Sequence, residues 1–174
     1  FDRFETAGPG FINFFLGTEF YSAVIREILA NPEAYGRSEY GRDEKVMVEF
    51  VSANPTGPMH MGNARGGALG DCLAAVLDKA GYNAWREFYV NDAGNQIEKF
   101  GCSLEARYLQ IFKGDEIEFP EDGYQGEDIK DLAKEYADLN GDSLVNVSAE
   151  ERKKALVDYA LPKNIKKMQA DMEK

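Results

Sequence analysis

Residues 48–96 read VEFVSANPTGPMHMGNARGGALGDCLAAVLDKAGYNAWREFYVNDAGNQ, and this stretch decides the fold class. Residues 45–51 form a near-continuous apolar run, broken by Glu49, which predicts a strand buried on both faces as in a parallel sheet. A Pro- and Gly-rich turn follows. Residues 60–80 then predict a helix with Leu69, Leu73, Val76, Leu77 and Ala80 on one face, stopped by Gly81 at C′. Residues 85–90 predict the next strand, with Trp85 in the core, and Asn91-Asp92-Ala93-Gly94 a turn. Residues 96–112 predict a helix aligning Ile97, Phe100, Leu104 and Tyr108. The order β–α–β–α with short connections predicts a right-handed crossover and an α/β, Rossmann-like parallel sheet.

The chain's one histidine, His60, stands where the turn becomes the helix. Backbone N–H groups at a helix start form a phosphate site by construction, so the placement points to chemistry on a nucleotide. A Walker A loop is excluded. Gly57 to Gly62 gives GxxxxG, but Asn63 and Ala64 stand where Lys and Ser/Thr are required. The dinucleotide fingerprint GxGxxG is absent. His60-Met61-Gly62-Asn63 resembles the HxGH signature of class I aminoacyl-tRNA synthetases and related nucleotidyl transferases, with Asn in the last place. Donors such as His60 and Asn63 suit charge developing on an ATP α-phosphate. Gly62 allows a nucleotide ring to lie against the backbone. Gly66, Gly67 and Gly70 each cost about 1 kcal/mol against Ala in a helix. The structural alternative is a tight helix–strand crossing with His60 as a helix cap.

Outward from this core, residues 11–16 (FINFFL) predict a short strand entered through Gly8-Pro9-Gly10. Thr18 is a candidate N-cap for a helix with Phe20, Val24, Ile28 and Leu29 on its apolar face, ended by Asn31-Pro32. Residues 32–43 are linker-like. Beyond residue 112, residues 127–139 are amphipathic through Ile129, Leu132, Ala133, Tyr136 and Leu139. Ser148 and Glu151 form a capping-box pattern, and Pro162 is expected to start or kink a last helix with Ile165, Met168 and Met172 on its face.

The 174 residues carry a net charge of -11, and residues 115–151, with 13 acidic residues and 2 lysines, account for all of it. An acidic chain argues against autonomous nucleic-acid binding through a phosphate-reading surface; the acidic window reads as a solvated insertion. The composition, 44% hydrophobic and 29% charged, is globular. No apolar run approaches the roughly 20 residues of a membrane span, and no membrane partner or signal peptide is expected. Cys72 and Cys102 lack metal or CxxC spacing, so they are expected to be reduced, buried thiols of a cytoplasmic protein, and no metal site is predicted. The chain starts at Phe1 and stops inside a helical pattern, which reads as an internal piece of a longer protein.

The run EFVSANPTGPMHMGNARGGALGD, followed by REFYVNDAGNQI, resembles the catalytic core of arginyl-tRNA synthetases of the bacterial type. The resemblance is dense over residues 44–101, and the SxNPTGPxHxG run is far more specific than HxGH. It implies an α/β fold with three parts. Residues 1–35 would end an N-terminal tRNA-contacting domain and residues 44–112 would be the first half of the Rossmann-like catalytic domain. Residues 113–174 would be an acidic, mostly helical insertion. It implies ATP, as Mg-ATP, L-arginine and tRNA(Arg) as substrates of the whole enzyme. Glu49 would accept the guanidinium; Ser52, Asn54 and His60 would hold the arginine backbone groups. Pro58, His60, Gly62 and Asn63 would line ATP, with His60 and Asn63 catalytic. Asp92, Asn95 and Gln96 are further candidates at the carboxyl end of the second strand, where Asp92 or Asn95 reads equally as a helix N-cap. Phe11 and Asn13 would touch tRNA. Glu49 reads alternatively as an edge residue pointing to solvent, and Ser52 and Asn54 as turn formers. The signature's last histidine is Asn63 here, so positioning is expected to survive and imidazolium charge to be lost. No second half-domain or KMSK-like loop is present, so the piece alone is expected to be inactive. The alternatives are a small-molecule adenylyltransferase with the same signature and a non-catalytic partner-binding module.

Overall fold

The computed structural model describes residues 1–173. Its elements are β1 (Arg3–Ala7), β2 (Phe11–Phe15), α1 (Thr18–Ala30), β3 (Lys45–Glu49), α2 (Met61–Lys79), β4 (Asn83–Glu87), α3 (Asn95–Lys113), a single 3-10 turn, α4 (Glu127–Asn140) and α5 (Ala149–Met172). Helices α3 to α5 make the larger share, and β3 and β4 pair as a two-stranded sheet. Asn83 donates to the Glu44 carbonyl and Phe50 to the Glu87 carbonyl, so low numbers pair with low and high with high. The strands are parallel and α2 is their connection.

The chain divides into two compact units, Phe1–Val46 with Ala75–Ala84, and Met47–Ala74 with Trp85–Lys174; its last residue, Lys174, lies outside the described residues. In the first unit, β1 and β2 form an antiparallel hairpin in register from Arg3↔Phe15 to Ala7↔Phe11. Gly8 and Gly10 both take positive φ in its turn. The N-cap of α1 is Gly17, without a side-chain cap bond, and Thr18 is its first helical residue, which corrects the expected Thr18 cap. The end of α2 closes as a Schellman motif. Tyr82 donates to the Leu77 carbonyl and Gly81, at φ +90°, to that of Asp78. Residues 38–43, expected as linker, are strapped to this end: Ser38, Gly41 and Asp43 donate to the carbonyls of Lys79, Ala80 and Gly81.

The expectation that β3 is buried on both faces fails. Met47 is 64% exposed and burial alternates along the strand, because β3 pairs with one strand and packs one face. Trp85, expected in the core, is 64% exposed, and its indole N–H donates to Glu87 at 2.7 Å. Leu69, Leu73 and Val76 of α2 are also exposed, the buried positions of that helix being Gly70 and Ala74. Gly70 is required by contact: a Cβ there would lie 2.2 Å from the Phe50 ring. Cys72 is exposed rather than buried, and Cys102 is half-buried, where burial pushes its thiol pKa up.

The core of the second unit is helical. Phe100, Leu104, Tyr108 and Leu109 of α3 meet Ile129, Leu132, Ala133 and Ala137 of α4, Leu144, and Leu156 and Ala160 of α5. Each large side chain removed from water contributes about 1.5–3 kcal/mol. The acidic window therefore supplies part of the core. On α4 the carboxylates of Glu127, Asp131, Glu135 and Asp138 are exposed. Leu139, expected on the apolar face, is exposed. Ser148 caps α5, accepting from the Glu151 N–H at 3.2 Å. Pro162 does not start a helix; it lies inside α5. Proline has no N–H to donate to the Asp158 carbonyl, and Asp158 and Pro162 are both exposed. Among the described residues no helix is long and apolar enough to cross a membrane.

Candidate active site

Between β3 and α2 the chain makes an irregular loop whose backbone is unusual. Val51 and Ser52 lie in the left-handed region, at φ +66° and +40°. A β-branched residue there stores strain that surrounding structure must hold. The holding bonds are local. Ser52 N–H donates to the Phe50 carbonyl and Thr56 N–H to that of Asn54. The Ser52 hydroxyl donates to Glu49 Oε1 at 2.8 Å and accepts the Tyr89 N–H at 3.1 Å. Glu49 thus ends on the exposed side of β3 with a hydroxyl partner; it is not a carboxylate buried in a sheet.

The helix start is capped by the signature itself. His60 is the N-cap of α2, and its Nδ1 accepts the Gly62 N–H at 3.1 Å. Asn63 Oδ1 reaches back to accept the His60 N–H at 3.0 Å. This is a capping box with His and Asn in place of Ser and Glu. Because Nδ1 accepts, the neutral ring carries its proton on Nε2. The missing side chain at Gly62 serves the histidine ring, since a Cβ there would stand 2.9 Å from His60 Cε1. Gly66, by contrast, has open space beyond its Cα.

A cavity of about 450 Å³ brings together Ser52, Asn54, Pro58, His60, Asn63 and Gln96. Within it the Asn54 amide donates to Gln96 Oε1, and the Tyr124 hydroxyl donates to the same oxygen at 3.5 Å. Glu49 joins through Ser52. A second cavity of about 830 Å³ shares His60 and Asn63 and is lined on its other side by Phe50, Asp71, Arg86 and Phe88; Arg86 pairs with Asp71 at 2.7 Å. Asp92 and Asn95 line neither cavity. The expected N-cap at Asp92 or Asn95 falls instead to Gly94, without a side-chain cap bond. Phe11 and Asn13 lie on β2, in the other unit, both exposed. Among the described residues no group of three or more His, Cys, Asp or Glu could hold a metal ion.

Two contributors were not predicted from sequence. Tyr124 comes from the acidic window, its N–H held by Ser103 Oγ at 2.9 Å. Nearby, Asp122 pairs with Lys99 at 2.8 Å. That hydrogen bond holds the Asp122 carboxyl below the usual carboxylate range and raises the Lys99 ammonium. Asn164 of α5 donates to the Pro55 carbonyl at 3.0 Å. Tyr124 carries no sequence signal, whereas Asn164 is a polar residue in the run Leu156, Ala160, Asn164, Met168, spaced by four, and that break in the pattern is readable.

The model of tRNA synthetases class I (R), catalytic domain, matches residues 24–142. The arginine–tRNA ligase of Acetivibrio thermocellus is 65% identical over 173 residues, which is 99% of this chain and 31% of that protein. That of Ruminiclostridium cellulolyticum is 61% identical with the same coverage. A crystal structure assigned as an arginyl-tRNA synthetase from Campylobacter jejuni superposes with a TM-score of 0.73 at 36% identity, over 91% of this chain and 34% of that one. The chain thus spans about a third of the length of the relatives it matches. On the matched model, the chain belongs to the class I tRNA synthetase (R) catalytic-domain family.

Proposed function

We propose that this chain carries the amino-acid and ATP half-site of an arginine–tRNA ligase. The polypeptide that contains it would join L-arginine to ATP as arginyl-adenylate, release pyrophosphate, and transfer arginine to the 3′ end of tRNA(Arg). The observation that carries the reading is the convergence of Ser52, Asn54, His60, Asn63 and Gln96 on one cavity. The chain spans 31% of the Acetivibrio thermocellus relative, so the whole reaction is proposed for the longer polypeptide, and the chain alone is expected to bind without charging.

In this reading Glu49 accepts the guanidinium in a planar bidentate pair, which replaces its bond from Ser52. Ser52 and Asn54 then hold the α-amino and carboxylate groups. The Nε2–H of His60 is the donor that faces the substrate carboxylate and the ATP phosphate. Pro58, Gly62 and Asn63 lie along Mg-ATP. Positioned donors of this kind stabilise the charge that builds on the α-phosphate oxygens. Gln96 orients Asn54, with Asp92 and Asn95 as outer candidates and Phe11 and Asn13 as a tRNA contact. The architecture proposed is the first half of a Rossmann-like parallel sheet over residues 44–112. It follows a tRNA-contacting end at residues 1–35 and precedes a mostly helical acidic insertion at residues 113–174. The enzyme is placed in the cytoplasm.

Titration calorimetry with non-hydrolysable arginyl-, lysyl- and leucyl-adenylate analogues tests this reading. The arginyl compound is expected to bind tightest, with the preference abolished in Glu49→Ala. Equal binding of all three would refute the arginine assignment.

A further inference from the structure

Asn164 interrupts a buried apolar stripe. Leu156, Ala160, Asn164 and Met168 follow one another at four-residue spacing along α5, and Asn164 is 4% exposed. A primary amide taken out of water requires a partner. It finds one 109 residues away in sequence, its Nδ2 donating to the Pro55 carbonyl at 3.0 Å. Pro55 is itself fully buried and has no N–H to anchor it. The gripped carbonyl follows Asn54 directly and precedes Thr56, whose N–H closes the tight turn back to the Asn54 carbonyl. One turn along α5, Met168 lines the same cavity as Asn54, Ser52 and His60.

The loop needs such a grip. It enters through two residues in the left-handed region, and its turns at Ser52 and Thr56 are two-residue closures, which span little chain and resist little displacement. An apolar residue at 164 would continue the stripe and pack as well, so burial alone does not account for the amide. We infer that Asn164 is a positioning residue for Asn54: by holding the Pro55 carbonyl it fixes the peptide that aims the Asn54 amide at Gln96 and the cavity. Arginine affinity then depends on a side chain that never touches arginine. The substrate clause rests on the proposed function, while the loop clause stands on geometry alone.

The test uses Asn164→Leu, which keeps the stripe and removes the donor, and Asn164→Asp, which keeps the shape and turns an acceptor toward the Pro55 carbonyl. In this chain, hydrogen exchange of the Thr56 amide is expected to quicken about tenfold in both variants, the size expected for one orphaned buried carbonyl. The Leu104 amide in the α3 core stays protected. In the ligase polypeptide that carries these residues, the KM for arginine in pyrophosphate exchange is expected to rise about tenfold with the KM for ATP unchanged. Parental Thr56 exchange in a folded Asn164→Leu or Asn164→Asp chain overturns the inference. So does a parallel rise in both KM values together with loss of Leu104 protection, because that is general loosening. A parent polypeptide without arginine-dependent exchange overturns the proposed function and the substrate clause, and the Thr56 amide then decides the loop clause by itself.

Discussion

His60 Nδ1 accepts the Gly62 N–H at 3.1 Å while Asn63 Oδ1 accepts the His60 N–H at 3.0 Å, so the two signature residues cap one helix reciprocally. The structural and the chemical readings of His60 are therefore compatible: the cap bond consumes Nδ1 and leaves Nε2–H for a ligand. Asn63→Asp separates them. The carboxylate still accepts the His60 N–H, and a negative charge in the first turn favours the helix by about 0.3–1 kcal/mol. The same charge repels a phosphate and removes the amide donor. The melting temperature of Asn63→Asp is expected to equal or exceed that of the parent, while pyrophosphate exchange in the ligase falls about 10²-fold or more. Asn63→Ala is expected to lose about 1 kcal/mol of stability. A stable Asn63→Asp enzyme with full exchange activity would remove this position from the ATP site.

The glycines of α2 divide into two kinds, and alanine substitution distinguishes them. At Gly70 a Cβ would enter the Phe50 ring, whereas at Gly66 it would meet nothing within 4 Å. Gly70→Ala is expected to destabilise by about 1–3 kcal/mol through overpacking. Gly66→Ala is expected to stabilise by about 0.5–1 kcal/mol through helix propensity, because no neighbour opposes it. Urea titration of both variants measures this pair of signs. A Gly66→Ala chain less stable than the parent would show that the open space is an incomplete account of that position.

What the sequence discloses here depends on how far apart the cooperating residues lie. The stripes of α3 and α4 were legible because a 3.6-residue period marks the apolar face, and both faces meet one helical core. The same periodicity misled at Leu69 and Leu73, as did the near-continuous apolar run at Met47 and the apolar character of Trp85. A pattern says which face is apolar but not what covers it, and these side chains stand exposed. Strand β1 carries no signal of its own, because RFETA acquires its meaning only from pairing with β2. In the site, Ser52, Asn54, His60 and Asn63 were legible because they crowd into twelve residues with a specific run. Tyr124 was not, and of Asn164 only the polar break in its stripe was readable and not its partner, since each joins across a long separation.

Arg152 shows how much the acidic window depends on one cation. It is buried, and its guanidinium donates to the carbonyls of Leu144, Val145 and Val147 and to Glu105 Oε1 at 2.6 Å. It thereby fastens the α4–α5 connection to α3. Arg152→Met removes the charge and leaves Glu105 and the carbonyls without it, so a loss of about 3–5 kcal/mol is expected. Arg152→Met with Glu105→Gln is expected to recover part of that loss, because the stranded charge is then gone. A single Arg152→Met variant within about 1 kcal/mol of the parent in urea would contradict the account.

The Lys99–Asp122 pair beside Tyr124 makes a pH-dependent contribution whose sign is set by its two shifts. Asp122 is held below its ordinary 3.8 and Lys99 is raised above its ordinary 10.5, each chiefly by the hydrogen bond to the other. A lowered carboxylate pKa stabilises the fold above the unfolded value, and the contribution disappears as pH falls through the folded value. A raised ammonium pKa stabilises below 10.5, and that contribution disappears as pH rises through the folded value. The pair therefore acts on a plateau between these limits. The melting temperature of Asp122→Asn is expected to lie below the parent's at neutral pH and to converge with it as the solution is acidified past 3.8. Added salt is expected to narrow the neutral difference, because both side chains are substantially exposed and exposed charges are screened. A difference that persists unchanged into acid would mean that Asp122 acts through packing or its backbone turn, and that its charge contributes nothing.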